Sequence, residues 1–506
     1  MASRSLITRE RLGPVREVAD AATEDLRSRR ALIRLHDGDH TLWQDDPTEV
    51  ADRLGWLRVG EEMGYRTVEL DEFGTHVAAA GLTHAVLLGM GGSSLFPEVL
   101  SRTFGAAVDR LDLRVLDTTD PNAIARVDEL GLDRCLFVAA SKSGTTIETR
   151  TQLDHFWERA GGDGSRFAVV TDPDSELAHI GHSRGMRAVF ENRPDIGGRY
   201  SALSLFGMVP GALLGVDLGA LLDRAADIDH DDGLRLGAVL AAAAQAGRDK
   251  LTFVLPTEVE TFGLWLEQLV AESTGKHGTG IVPVTGEPLG PPDVYGDDRI
   301  FVSLGGAVGL DALAAAGHPV VELAYADPLD LGAHVLLWEI AVALCGAVLG
   351  INPFDQPDVT AAKDATNRVL AEGLPDVDIV KTSELVDQLR DGDYLAIQLF
   401  GDPDDPDLWR IENARVSIRD RMQVATTVGI GPRFLHSTGQ LHKGGPPTGV
   451  FLQLLGSDHV DVPIPGRSYG FSTLKQAQAA GDLQALQARG LRAGRVEIHE
   501  FLEVFA

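Results

Sequence analysis

Residues 269–280, LVAESTGKHGTG, end an apolar helical run on a carboxylate and pass into small residues, glycines, a lysine and a histidine. Apolar side chains at Phe262, Trp265, Leu266, Leu269 and Val270 form a helical stripe, which puts Glu272 in the last turn before Gly275. A carboxylate there faces the negative end of the helix dipole, and burial would further disfavour its charged form. Both effects raise proton affinity toward what a general base needs near neutrality. An exposed glutamate in a frayed last turn would show the same spacing.

Two turns are rich in the donors an anion requires. LLGMGGSSL places Gly89, Gly91 and Gly92 after a strand-like run and before a helix, where backbone amides and a helix amino terminus face a negative ligand. SKSGTTIET gathers Ser141, Ser143, Thr145 and Thr146 around Gly144, four hydroxyls that can wrap a phosphate without positive charge. The same hydroxyls could simply cap a helix. Two neighbouring strands ending in such turns favour the phosphate, because open α/β sheets bind ligands at the carboxyl ends of their strands. In IGGRYSALS, Arg199 follows two glycines, so its guanidinium lies near backbone amides; alone, it would read as a surface arginine.

Turns of this kind need parallel strands covered on both faces, and the chain supplies short apolar runs separated by helix-length segments. HAVLLGM (84–90), CLFVAAS (135–141), RFAVVTD (166–172) and RAVFEN (187–192) define one doubly wound α/β domain, residues 56–225. LTFVLP (251–256), GIVPVTG (280–286), RIFVSLG (299–305) and PVVELAY (319–325) define a second, residues 226–374. Residues 1–55 are expected to be helical packing, with Asp46 and Pro47 opening an amphipathic helix that runs to about Met63. Residues 375–506 are expected to form a smaller α+β domain: a strand at YLAIQLF, a charged helix over 407–424, strands near 449–455 and 495–501, and a Gln/Ala-rich helix over 473–489. GDPDDPD (401–407) reads as a solvated loop.

With 506 residues, two or three domains are expected. Lys and Arg total 45 against 75 Asp and Glu, a formal net charge of -30, which excludes nucleic acid and anionic membranes as partners. A phosphorylated metabolite could bind only where donors are locally concentrated. Cys135 and Cys345 lie in separate apolar runs and read as core residues of a protein in a reducing compartment. The start, MASRSLITRERLGPVREVADAA, carries charge where a signal peptide needs an apolar segment, and Glu339 interrupts the longest apolar stretch, Val335 to Ile351. A cytoplasmic protein with no membrane span is expected.

In order along the chain, GMGGSSLFP, SKSGTTIET, GGRYSALS, EQLVAESTGK and GINPFDQPDVTAAK resemble the phosphoglucose isomerase family, from about residue 84 to 363. The resemblance implies two sugar-isomerase domains that interconvert glucose 6-phosphate and fructose 6-phosphate through a cis-enediol, with no metal and no nucleotide cofactor. It places Ser141, Ser143, Thr145 and Thr146 on the sugar phosphate, with Ser93 and the backbone around Gly92 and Lys142 nearby. Gln268 and Gln356 match substrate-contacting glutamines, Glu272 the base, Arg199 the group facing the enediolate charge, and Lys363 the ring-opening lysine.

The family's ring-opening histidine follows the base in a stretch that has no counterpart between Lys276 and Gln356. The nearest echo is RFLHSTGQLHKGGPPTG (433–449), which offers His436 and His442 in the third domain. In the family that histidine comes from a neighbouring subunit, so both a homodimer and a monomer stay open. The carboxy-terminal part also resembles the end of fused transaldolase and phosphoglucose isomerase chains, but 55 preceding residues are too few for a barrel and transaldolase activity is not expected. A sensor of sugar phosphates without catalysis, or an isomerase for another sugar phosphate, are the alternatives; Glu272, Arg199 and Lys363 together weigh against the first.

Overall fold

The structure, a computed structural model, describes residues 3–406 and 408–505; Asp407, within the acidic loop expected over 401–407, lies outside the described residues. Strand β1 (Ile7–Arg11) corrects the expectation of helical packing at the start of the chain. It pairs antiparallel with the edge of the second sheet, where Arg9 and Arg11 meet Asp311 and Glu322. Complementary charge along an open edge thus selects a strand over a helix there. Helices Arg16–Ser28 and Ala31–His36 follow. The helix expected from Asp46 starts only at Trp56, because the Asp46 carboxylate accepts the Thr48 amide at 2.9 Å and closes a turn instead.

The first sheet contains β2 (His84–Gly89), β3 (Asp112–Leu116), β4 (Cys135–Ala140), β5 (Phe167–Thr171) and β6 (Ala188–Glu191), ordered β3-β2-β4-β5-β6. All its pairings are parallel, and every residue of the central strands β4 and β5 is buried. β3 was not among the expected strands; DLRVL mixes charged and apolar residues because it is an edge strand with an exposed Arg114. The second sheet adds β7 (Lys250–Val254), β8 (Val282–Val284), β9 (Arg299–Leu304) and β10 (Val320–Leu323), ordered β1-β10-β9-β7-β8. One hydrophobic core runs through both units.

The third sheet holds β11 (Tyr394–Phe400), β12 (Ala425–Gly431), β13 (Gly449–Leu455) and β14 (Arg492–Arg495), ordered β12-β11-β13-β14. Every pair is parallel, so this unit is α/β rather than the expected α+β. Helices Leu408–Met422, Gly439–Gly444 and Phe471–Ala488 link successive strands, and such crossovers return the chain in the same direction. The strand expected over 495–501 is instead helix Ile498–Phe505, whose Phe501, Leu502 and Phe505 share a buried helical face.

Helix Leu331–Leu349 is the central pillar of the first core. With the turn before it, the segment Pro328–Leu349 has the length to cross a bilayer and contains an 18-residue window of mean hydropathy 1.9, yet 89% of that window is buried inside the protein. A helix apolar on all sides is what a core position demands. Its Glu339 is 1% exposed, and neither carboxylate oxygen has a hydrogen-bond partner among the described residues.

The third unit docks through buried charge. Arg433 forms a fork on Asp117 at 2.7 and 2.8 Å, Lys475 reaches Asp120 at 2.8 Å, and Arg126 pairs with Asp402. On the other side, Glu287 lies between Arg299 at 3.4 Å and Arg419 at 3.3 Å. Removing one member would strand an uncompensated charge, so these contacts fix the docking geometry.

Candidate active site

Glu272 stands on helix Phe262–Thr274, which is buried along nearly all its length. Its side chain is almost fully enclosed, which separates it from a frayed surface glutamate. Oε1 is 3.2 Å from Arg199 Nη1, and Oε2 accepts from Gln268 Nε2 at 3.1 Å, one helical turn earlier. The same Gln268 nitrogen donates to the carbonyl of His436 at 2.9 Å, while its Oε1, also buried, has no partner among the described residues.

Arg199 is buried, not at the surface. Nε donates to Ser273 Oγ at 2.9 Å, and Nη2 donates to the carbonyls of Pro353 and Asp355, each at 2.8 Å. These three partners hold the guanidinium in one orientation against Glu272. The turn that carries Arg199 presses on the glycine turn after β2: a Cβ on Gly92 would sit 1.9 Å from the Gly198 carbonyl oxygen, so only glycine permits the approach. Gly91, at φ +54, has the His436 carbonyl and the Gln268 amide as its neighbours. Ser93 is buried in the same turn.

The hydroxyl cluster follows β4. Ser141 Oγ and Thr146 Oγ1 are 3.0 Å apart, as are Ser143 Oγ and Thr145 Oγ1; Ser141 Oγ also accepts the Gly144 amide at 3.2 Å. Ser143 and Thr145 are exposed, and Thr146 precedes helix Ile147–Arg159, so the donors open outward at a helix amino terminus. The Lys142 side chain does not join them: its ammonium is held by Asp172 and by the Pro194 carbonyl at 2.7 Å. Lys142 can therefore serve a ligand here through its backbone.

The two candidate histidines part company. His436 ends the turn Arg433–His436 and puts Nε2 2.9 Å from Glu148 Oε1, with its carbonyl on Gln268. His442 is enclosed by Tyr394, Phe434 and Phe451 and meets Gln398 at 3.2 Å. Burial, and then the neighbouring Lys443, holds its imidazole well below the usual range, and the ring packs among aromatic side chains where that of His436 meets a carboxylate. Lys363 is exposed on helix Thr360–Glu372, close enough for its charge to act on Glu148. Burial works to raise the Glu148 carboxyl, but His436 foremost, then its own backbone amide and after that Lys363 leave it below its ordinary value. Gln356 is exposed on the loop between these groups.

Three participants were missed in the sequence. Glu148 is printed in SKSGTTIET, but only folding reveals that it meets His436 and accepts from Gln478 at 2.7 Å. Gln440, fully buried, donates to the Gly275 carbonyl at 2.9 Å and to Asp358 Oδ2 at 2.8 Å, and accepts the Asp358 amide at 2.9 Å. It thereby ties the end of the helix that carries Glu272 to the loop before Lys363. Lys276 lies behind Arg199, on Asp355. No group of three or more His, Cys, Asp or Glu side chains is placed to hold a metal among the described residues.

Residues 66–232, which carry the glycine turn, the hydroxyl cluster and Arg199, match the phosphoglucose isomerase family. Over this segment the chain is similar to the phosphoglucose isomerases. It is 28% identical over 357 residues to a glucose-6-phosphate isomerase of a Cyanothece species, covering 58% of this chain and 68% of that one. A glucose-6-phosphate isomerase of Rubrobacter xylanophilus is 28% identical over 401 residues, 66% of this chain and 91% of the relative. A solved glucose-6-phosphate isomerase of Chlamydia trachomatis superposes with a TM-score of 0.59 at 21% identity, over 70% of this chain and 86% of that one, which bears on the fold alone. In this chain the candidate base stands on the second unit and the candidate histidine on the third.

Proposed function

We propose that the protein interconverts glucose 6-phosphate and fructose 6-phosphate, with Glu272 moving a proton between C2 and C1. The observation that carries this is the buried pairing of Glu272 with Arg199 and Gln268 beside the glycine turn. The hydroxyl cluster and the first turn of helix Ile147–Arg159 would hold the phosphate with neutral donors, which suits a chain of net charge -30. Gln268 Oε1, buried without a partner among the described residues, would accept from a sugar hydroxyl.

Ring opening falls to the group around His436. With Nε2 committed to Glu148, Nδ1 is the nitrogen offered to the ring, and Lys363 adds positive charge on the same side. Glu272 then takes the C2 proton of the open chain and returns it to C1, while a proton passes from the C2 hydroxyl to the C1 oxygen. As Glu272 loses its charge, the Arg199 guanidinium is freed to face the negative charge that develops on the enediolate oxygens. Because Ser273 and the Pro353 and Asp355 carbonyls still fix the guanidinium, that stabilisation needs no reorganisation.

The test is a coupled assay with fructose 6-phosphate and glucose-6-phosphate dehydrogenase, reading NADPH. Glu272→Gln keeps the shape and removes the base; turnover should drop by at least about 100-fold, while sugar-phosphate affinity stays close to wild type. Full activity in that variant would remove Glu272 from its role. A wild type that binds sugar phosphate without turning it over would indicate a sensor.

A further inference from the structure

We infer that Lys276 is a positioning residue for this reaction, gripping Asp355 so that the loop before Gln356 holds Arg199 against Glu272; the inference rests on the isomerase reading. Lys276 is fully buried four residues after Glu272, beyond the end of the base helix. Its Nζ donates to the Asp355 carbonyl and to Asp355 Oδ1, both at 2.7 Å. That same carbonyl accepts from Arg199 Nη2 at 2.8 Å. Two buried cations therefore share one backbone oxygen, and one of them touches the base.

A buried ammonium is costly unless it is paired, and an apolar side chain would fill the space without that cost. What methionine could not do is grip Asp355 by side chain and backbone at once. The charged groups around Lys276 are Glu272 from its own segment, Arg199 from the turn ahead of helix Leu205–Leu214, and Asp355 from the loop. From the third unit, packed on Gly275, Lys443 is turned into an ion pair with Asp482, and Asp358, on the same loop as Asp355, is taken by Gln440 and Arg489. Burial first and Arg199 second push the ammonium down to about 8, against the pull of Asp355 and Glu272. The charge is present below that pH and lost above it, so the grip on Asp355 weakens as pH rises.

The experiment compares the wild type with Lys276→Arg and Lys276→Met, measuring kcat and KM for fructose 6-phosphate from pH 6 to 10. The wild type should show an alkaline decline in kcat centred near pH 8. Lys276→Met should lose on the order of 100-fold in kcat with little change in KM, since a displaced Arg199 harms the transition state more than binding. Lys276→Arg, charged throughout this range, should recover much of the rate and move the alkaline decline upward by a unit or more. An alkaline limb shared by wild type and Lys276→Arg, or an undiminished kcat in Lys276→Met, would overturn the inference. If Lys276→Met does not fold, the limb in Lys276→Arg decides. A folded wild type that does not isomerise the sugar would instead defeat the isomerase reading itself.

Discussion

Glu272, Arg199 and His436 come from three stretches of chain and meet through hydrogen bonds that leave little freedom. The two histidines of the 433–449 loop provide a clean contrast. His436→Ala should cut kcat from the cyclic sugar by roughly 100-fold, the share of a general acid or base. His442→Ala should leave kcat near wild type and lower thermal stability, by on the order of 2 kcal/mol for a packed core ring. Parallel coupled assays and melting curves check both; a His442 variant that is stable but inactive would reverse the assignment. The sequence showed a loop dense in histidine and glycine, but choosing between its histidines required knowing that Tyr394, Phe434 and Phe451 enclose one of them. Glu148 was equally visible in SKSGTTIET, yet its importance comes from a partner 288 positions away.

Among the elements, helix Leu331–Leu349 carries a strain that pH can expose. Glu339 is buried without a partner among the described residues, and burial raises its carboxyl well above the ordinary value of 4.5. In the unfolded chain it ionises near 4.5, whereas the folded chain keeps its proton. The folded state thus binds more protons between those two values, so this residue's contribution to stability is full below 4.5 and declines as pH rises. Glu339→Gln removes the titration, and it should melt at a higher temperature than wild type at pH 8, with the gap narrowing toward pH 4.5. A pH-independent gap would show that Glu339 finds a partner in solution. Elements buried on both faces, such as β4 and β5, were legible from their apolar runs. β1 and β3 were not, because edge strands carry charged residues that mimic loop or helix surface. The parallel order of the third sheet was hidden for another reason: strand direction follows from how the linking helices pack, not from the strands' own residues.

At the scale of the whole molecule, the third unit is built into the site. Arg433 and Asp117 clamp the turn before His436, with Asp117 also accepting from Ser94 Oγ at 3.1 Å beside the glycine turn. Gln440 ties the base helix to the loop before Lys363, and Gln478 shares Glu148 with His436. Every one of these contacts lies within a single chain. That predicts a mixing result. Glu272→Gln and His436→Ala, each nearly inactive, are unfolded together, refolded as a mixture and assayed beside refolded wild type. If base and histidine are supplied by one chain, every site in the mixture lacks one of them, and activity stays at the level of the separate variants. If a histidine crossed between subunits, mixed dimers would contain one site with both groups intact, and activity would rise well above either parent. Recovery of wild-type activity on refolding is the control that gives a null result its force.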